Sequence, residues 1–233
     1  MIFLGRIYYI NYINKKGCDE VKQLGFVGVD STDMVLYLAR LLSCNEKKVA
    51  VIDYTKRHQL IQTANVPDVL FGTGSYYKEI LIVAAEALTD EREVKSCEYI
   101  FHYFGAAVSH PQIANCTELF FITDMIPTNA SLLKEVKCSE VTKKYCIIRN
   151  MIDAKYRGKY LVSLMEQGFT PKDAIELPYA EQDYRCRCYL CIDTKHKLKI
   201  KELSAGMQQV LLYLFKELEQ ADEKTIKKIV KKA

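Results

Sequence analysis

The stretch Gln23-Leu24-Gly25-Phe26-Val27-Gly28-Val29-Asp30-Ser31-Thr32-Asp33 decides the fold. Gln23 to Val29 is an apolar run short enough for a buried strand. From Thr32 to Ser43, Val35, Leu38, Ala39 and Leu42 fall at helical spacing, with Ser31 or Asp30 placed to cap the helix. Lys48-Val49-Ala50-Val51-Ile52-Asp53 is then a continuous apolar strand closed by an acid. Strand, helix and strand in this order, with about a dozen helical residues between, form the βαβ unit of a parallel sheet.

The alternation continues outward. Strands are expected at Glu98–Phe104, Glu118–Thr123, Lys144–Arg149 and Ala174–Leu177. Helices are expected at Lys78–Leu88, Asn129–Val136, Tyr156–Gln167 and Met207–Leu218. Upstream, Ile7–Ile13 (IYYINYI) is rich in β-branched and aromatic residues and reads as an added strand, with a turn at Lys15-Lys16-Gly17. Strands apolar along their whole length and separated by helices predict an α/β fold. Its sheet is doubly wound and mostly parallel, with helices on both faces. Three segments follow: 1–21 as an N-terminal strand extension, 22–220 as the α/β domain, and 221–233 as a basic helix end.

Composition supports one globular chain. Of 233 residues, 49% are hydrophobic and 27% charged, which excludes a disordered tail or a collagen-like chain. The nine cysteines are odd in number and mostly isolated among apolar neighbours, and Met1–Ile13 lacks a cleavage-site pattern. Reduced thiols in a cytoplasm are the expectation. The formal charge of +4 is unevenly placed. Lys195–Ala233 holds ten lysines and five acids, so the positive excess lies in the last sixth of the chain.

In such a sheet, ligands bind at the carboxyl ends of the strands, near the first strand–helix turn. A phosphate site there reads G-x-x-x-x-G-K-[ST], whose backbone N–H groups surround the phosphates and whose lysine neutralises them. The turn Gly25–Asp33 has no lysine and carries Asp30 and Asp33 instead. Like charges at 4 Å repel by about 4 kcal/mol at an effective dielectric of 20, so the two acids oppose a polyphosphate.

The series of pieces resembles the MinD/ParA family of P-loop ATPases. That family carries a deviant Walker A, K-G-G-x-G-K-[ST], a helix with N-L-A, and a strand ending in Asp. Tyr37-Leu38-Ala39 is similar to N-L-A and Lys48–Asp53 to the following strand. This places Phe26 at the signature lysine, Ser31 at the P-loop lysine and Thr32 at the magnesium-binding hydroxyl, after Gly28. Glu98–Gly105 (EYIFHYFG) resembles the Walker B segment, with His102 or Tyr103 where the metal-associated Asp belongs. Phe120–Val136 is similar to the family's strand, T-x-P loop and helix. Ile147–Asp153 (IIRNMID) resembles V-V-L-N-R-V-D, and Leu177-Pro178-Tyr179 the I-P-x segment beside the base. The resemblance thus implies residual nucleotide contacts at Asp53, Asn150 and Pro178. Each has a plainer alternative, a strand-end cap for Asp53 and a loop residue for Asn150.

What the resemblance implies, less the missing residues, is a pseudo-ATPase. Phosphoryl transfer needs Lys and Mg²⁺ on the transferring group, and both lysines and the Walker B carboxylate are absent. The expectation is an adaptor or positioning protein without a cofactor. It would act through a protein partner and as a homodimer, with Phe26, Tyr54 and Phe104 in contact. Pilus-assembly and polar-localisation proteins similar to TadZ/CpaE offer the analogy, in the cytoplasm or peripherally at a membrane or pole. The alternatives are an atypical nucleotide-binding switch that retains ATP or ADP, and a partition-type DNA-binding protein.

Two further groups stand out. Cys186, Cys188 and Cys191 with His196 number enough for tetrahedral zinc. Against that stands a Cys-rich strand or loop of small hydrophobes, or thiols lowered by Arg185 and Arg187. Lys195, Lys197, Lys199 and Lys201 alternate as on a strand. Lys224, Lys227, Lys228, Lys231 and Lys232 surround Ile226, Ile229 and Val230 as a basic amphipathic helix. That surface suits weak contact with anionic lipid or DNA.

Overall fold

The computed structural model describes residues 21–66, 68–69, 74–88, 91–152, 158–192 and 198–233. The expected strand at Ile7–Ile13 and the extension 1–20 lie outside the described residues, as do Lys195, His196 and Lys197.

The strands are β1 (Lys22–Gly28), β2 (Val49–Asp53), β3 (Ser75–Tyr77), β4 (Ile80–Ala84), β5 (Tyr99–Gly105), β6 (Glu118–Thr123), β7 (Lys143–Met151) and β8 (Ala174–Pro178). They form one eight-stranded sheet in the order β3-β4-β2-β5-β1-β6-β7-β8. Every pairing is parallel except β3 with β4. The helices are α1 (Thr32–Cys44), α2 (Gln59–Ala64), α3 (Arg92–Lys95), α4 (Pro127–Leu132), α5 (Lys159–Met165), α6 (Glu181–Ile192), α7 (Ala205–Glu219) and α8 (Glu223–Lys232).

Alternate residues of each central strand enter the cores on opposite faces of the sheet, with Ala50, Ile52 and Ile100 in a separate cluster beside α3. Leu24, Phe26, Phe101 and Phe120 meet α1, α2, α6, α7 and α8 on one face. Val27, Phe104, Phe121 and Ile148 meet α4 and α5 on the other. Strands covered on both faces need apolar side chains at nearly every position, which is why they read as unbroken runs.

Three expectations fail. Lys78–Leu88 is not a helix: Ile80–Ala84 is the buried strand β4, followed by a 3₁₀ turn at Ala85–Ala87. Lys78 and Glu79 lie at φ 49° and 69°, the positive values a tight two-residue hairpin requires. Arg40 Nη1 holds that turn, donating to the Lys78 carbonyl at 3.2 Å and to Glu79 at 2.8 Å. Glu181–Ile192 is a helix, not a Cys-rich strand or loop. Its inward residues Asp183, Cys186 and Leu190 follow helical spacing, while Tyr184, Tyr189 and Ile192 face outward and obscure the pattern. The lysine alternation before residue 202 belongs to no strand among the described residues, since Ile200–Glu202 is a 3₁₀ turn.

The glycines of β1 answer to close packing. Gly28 has φ 124°, and a Cβ there would sit 1.8 Å from the Ile122 carbonyl oxygen of β6. Gly28→Ala should therefore separate β1 from β6 and destabilise the protein by roughly 3 kcal/mol or more. A urea midpoint equal to wild type would refute this account of the strand end.

Candidate functional site

The expected phosphate loop is shorter than its sequence suggests. Gly25 pairs with His102 of β5 and Leu119 of β6, and Gly28 pairs with Ile122, so both are ladder residues. A Cβ on Gly25 would lie 2.5 Å from Leu119 Cδ2. The turn is thus Val29–Ser31 alone, between the end of β1 and the start of α1. Gly25 to Gly28 lie within the strand expected at Gln23–Val29, and the glycines let β1 press against its neighbours.

Charged side chains of this chain fill the turn. Asp30 Oδ1 accepts from Thr32 N at 3.1 Å and from Thr32 Oγ1 at 3.0 Å. Tyr103 Oη donates to the same oxygen at 3.4 Å, and Arg187 of α6 pairs with Asp30 Oδ2. Thr32 Oγ1, at the position expected to hold magnesium, also accepts from Thr63 at 3.1 Å and is buried. Ser31, at the expected lysine position, is buried at the N-cap without a side-chain cap bond.

Beneath this layer lies a buried ion pair. Arg149, near the end of β7, donates from Nη1 and Nη2 to Asp33 at 2.8 and 2.6 Å, and from Nη1 to the Asp30 carbonyl at 2.9 Å. The two side chains are only 6% and 3% exposed. Burial alone would raise the Asp33 pKa, but the Arg149 guanidinium overrides it and holds the carboxyl below its ordinary value. Two carboxylates and two guanidiniums neutralise one another.

The other expected site residues fall as follows. Asp53 is fully buried and saturated: Oδ1 accepts from Thr55 N and Oγ1 at 2.9 and 2.7 Å, and Oδ2 from Leu60 N and Ile61 N at 2.9 and 3.2 Å. It ties β2 to the start of α2. His102 is buried, held by Gln23 Oε1 at 3.2 Å and Tyr54 Oη at 3.1 Å. Asn150 and Pro178, distant in sequence, line one cavity of about 370 Å³ together with Asp33, Arg149, Tyr179 and Arg187. A second cavity, beside Gly28, Asp30 and Asn129, has only about 120 Å³. Ligand pockets usually run from about 300 to 1,000 Å³, so only the first has room for a base.

Phe26 and Phe104 are core residues at 1% and 0% exposure, which removes them as dimer contacts. Cys186 is buried while Cys188 and Cys191 are not, because positions two and five residues on along a helix both turn away from its face. No group of three metal-ligating residues occurs among the described residues. Asp222 caps α8 by accepting from Thr225 N at 2.8 Å. Ile229 of α8 is buried and Ile226 packs on the same core, so the apolar stripe faces the body and Lys224, Lys227, Lys228, Lys231 and Lys232 face water. No described helix is long and apolar enough to cross a membrane.

Sequence reasoning left Arg149 and Arg187 without their roles. Their acidic partners lie 116 and 157 residues away, and only the excess of acids in the turn hinted that cations would converge there.

This architecture is the P-loop NTPase-like sheet of the MinD/ParA type. The MinC:MinD cell division protein complex of Aquifex aeolicus superimposes with a TM-score of 0.58 at 11% identity, covering 86% of this chain and 97% of the other. The MinD cell division protein of Aquifex aeolicus gives 0.56 at 10% identity, covering 86% and 98%. No family model matches the sequence, and no curated protein matches it.

Two outcomes follow from this geometry. Arg149→Met strands a buried carboxylate and should cost about 3–5 kcal/mol, whereas Arg149→Met with Asp33→Leu should recover most of that loss. Urea denaturation of the three proteins checks this, and equal losses in single and double variants would contradict it. The second concerns His102, whose pKa burial depresses to about 3 from 6.5. The unfolded chain therefore binds a proton that the folded chain refuses between those values, and stability falls as pH drops from about 6.5 toward 3. His102→Phe should flatten the dependence of the urea midpoint over pH 6.5–4.5, leaving the smaller share of His110, which burial also lowers. An unchanged slope would remove His102 as its source.

Proposed function

We propose that this protein is a pseudo-ATPase, an adaptor or positioning protein that uses a MinD-type sheet as a protein-binding scaffold. One observation carries this reading: where a phosphate cradle would stand, Asp30 of the three-residue turn pairs with Arg187 and Asp33 of the first turn of α1 pairs with Arg149. Catalysis of phosphoryl transfer rests on cations free to stabilise the transferring group. Here both guanidiniums are engaged by carboxylates of the same chain, and Asp53 is engaged by four donors. The partner is a protein, as MinC is for MinD in one similar structure. Self-association as a homodimer and placement at a membrane surface or pole belong to the same proposal. Pilus or secretion assembly is the process that the analogy drawn from sequence favours.

A second reading has its own support. The cavity that joins Asn150 and Pro178 is large enough for a base and is bordered by Arg149 and Arg187. An atypical switch would hold ATP or ADP there without hydrolysing it. The exposed lysines of α8 support contact with DNA or anionic lipid as a weaker, additional property.

Calorimetric titration with MgATP and MgADP, together with a phosphate-release assay, separates these readings. Wild type and Ser31→Lys should both give no binding heat and no turnover, because a lysine cannot lengthen the turn. Hydrolysis that disappears in Asp53→Ala would overturn the pseudo-ATPase reading. Binding without hydrolysis, weakened tenfold or more by Asn150→Ala, would select the switch. Salt-sensitive duplex binding lost on removing residues 222–233 would assign the lysines to DNA.

A further inference from the structure

Exposed apolar side chains are densest on α6 and just before it. Tyr179, Tyr184, Tyr189 and Ile192 are between 50% and 77% exposed. Tyr179 and Tyr184 line one cavity, so the patch is continuous from the end of β8 onto the helix. A whole aromatic side chain carries about 150–250 Å², so the exposed parts amount to roughly 400 Å². A single exposed tyrosine is ordinary, but an apolar patch of this size is about the largest that a monomer shows and marks a contact. The inner side of α6 is already committed. Cys186 and Leu190 are buried, Arg187 holds Asp30, and Asp183 accepts from Ser204 N and Oγ at 2.7 and 2.6 Å. The helix is thus anchored from beneath, and its outer face is presented in one orientation.

We propose that a second copy of this chain covers the face, α6 against α6 about a two-fold axis at Cys188. The contact rests on the self-association proposed above and gives it a surface. Phe26 and Phe104, the residues expected to make it, are buried, so other side chains must serve. Tyr184, Cys188 and Ile192 are spaced by four and form one ridge, the row that interdigitates in the commonest helix crossing. A two-fold contact requires a patch that fits itself. This ridge does so, since a small half-buried thiol stands between two large side chains, one turn away on either side. Tyr184 of each copy lies against Ile192 of the other. The two Cys188 side chains meet at the centre, where their small volume lets the helices approach. Charge agrees with this arrangement. Glu181 and Arg185 on the same face pair at 3.8 Å, so they cancel within each copy. The axis also sets each Arg185 beside Cys191 of the other copy, away from its own equivalent. Area agrees too. One side of a standard interface is about 800 Å² and about 60% apolar, which asks for about 480 Å² of apolar surface. The patch supplies most of that, and the polar residues around it supply the rim.

Sedimentation velocity on the full chain tests the contact. Wild type should sediment as a dimer, and Tyr184→Asp and Ile192→Asp should each weaken dimerisation about tenfold or more, as loss of a central apolar anchor does. Both positions face water, so the far-ultraviolet circular dichroism of the variants should match wild type. A short bismaleimide adds a positional readout that needs neither variant. It should join two copies through Cys188, so that Cys191→Ser keeps the link and Cys188→Ser loses it. A link that survives in Cys188→Ser would overturn the axis at this residue. A dimer unaffected by both aspartates would overturn this face and leave self-association standing. A monomer at every concentration would overturn both and leave the face to a different protein.

Discussion

The buried pair of Arg149 and Asp33 is the constraint around which the carboxyl end of this sheet is arranged. An isolated ion of either sign would be intolerable at this depth, so each exists there only because the other does. The pair is bidentate, which fixes angle as well as distance. It joins the end of β7 to the first turn of α1 across the sheet. The same guanidinium reaches the Asp30 carbonyl, so the turn before α1 is set from behind by β7. With that turn fixed, the Asp30 side chain projects to where Arg187 of α6 can meet it.

This arrangement gives the two acids of the turn a physical role. At sequence level they oppose phosphate. In the structure they occupy the electrostatic role a phosphate would have, drawing two guanidiniums to the head of α1. The helix end contributes in the same direction, since carboxylates near an N-terminus are favoured by the helix dipole. Asp33 lies in that first turn and also accepts from the Met34 amide at 2.9 Å. The fold thus keeps the anion preference of the strand–helix turn and satisfies it internally, with the side chains of Asp30 and Asp33.

The scaffold was legible in the sequence for a definite reason. Strands covered on both faces are continuous apolar runs, and β1, β2, β5, β6 and β7 all announce themselves in this way. α7 carries one clear apolar stripe, and α1 is apolar almost throughout because every residue but Arg40 is buried. What failed to show shares a different cause. β4 is a five-residue apolar run, and a run of that length has no period to separate strand from helix. α6 carries apolar residues inward and outward, so its stripe cancels. The site was half legible. The sequence showed that the turn lacks a lysine, and the resemblance named Asn150 and Pro178 together, both of which line one cavity. The ion pairs did not show, because each joins residues more than a hundred positions apart, and a single sequence carries no trace of such contacts.

The glycines sharpen the same lesson. Gly25 and Gly28 lie in the stretch where a phosphate-cradling loop would stand, yet a Cβ on Gly28 would strike the Ile122 carbonyl of β6 and one on Gly25 the Leu119 side chain of the same strand. A glycine marks a place where backbone comes near something, and sequence does not say what. Here the near object is a neighbouring strand, so β1 runs straight to Gly28 and only Val29–Ser31 remain to turn the chain. A lysine restored at position 31 would enter a buried site already bounded by Asp30, Asp33 and Arg149, with no loop to carry it toward a ligand. The absence of a G-x-x-x-x-G-K loop at the head of α1 therefore resides in the length of β1 as much as in the residues that follow it.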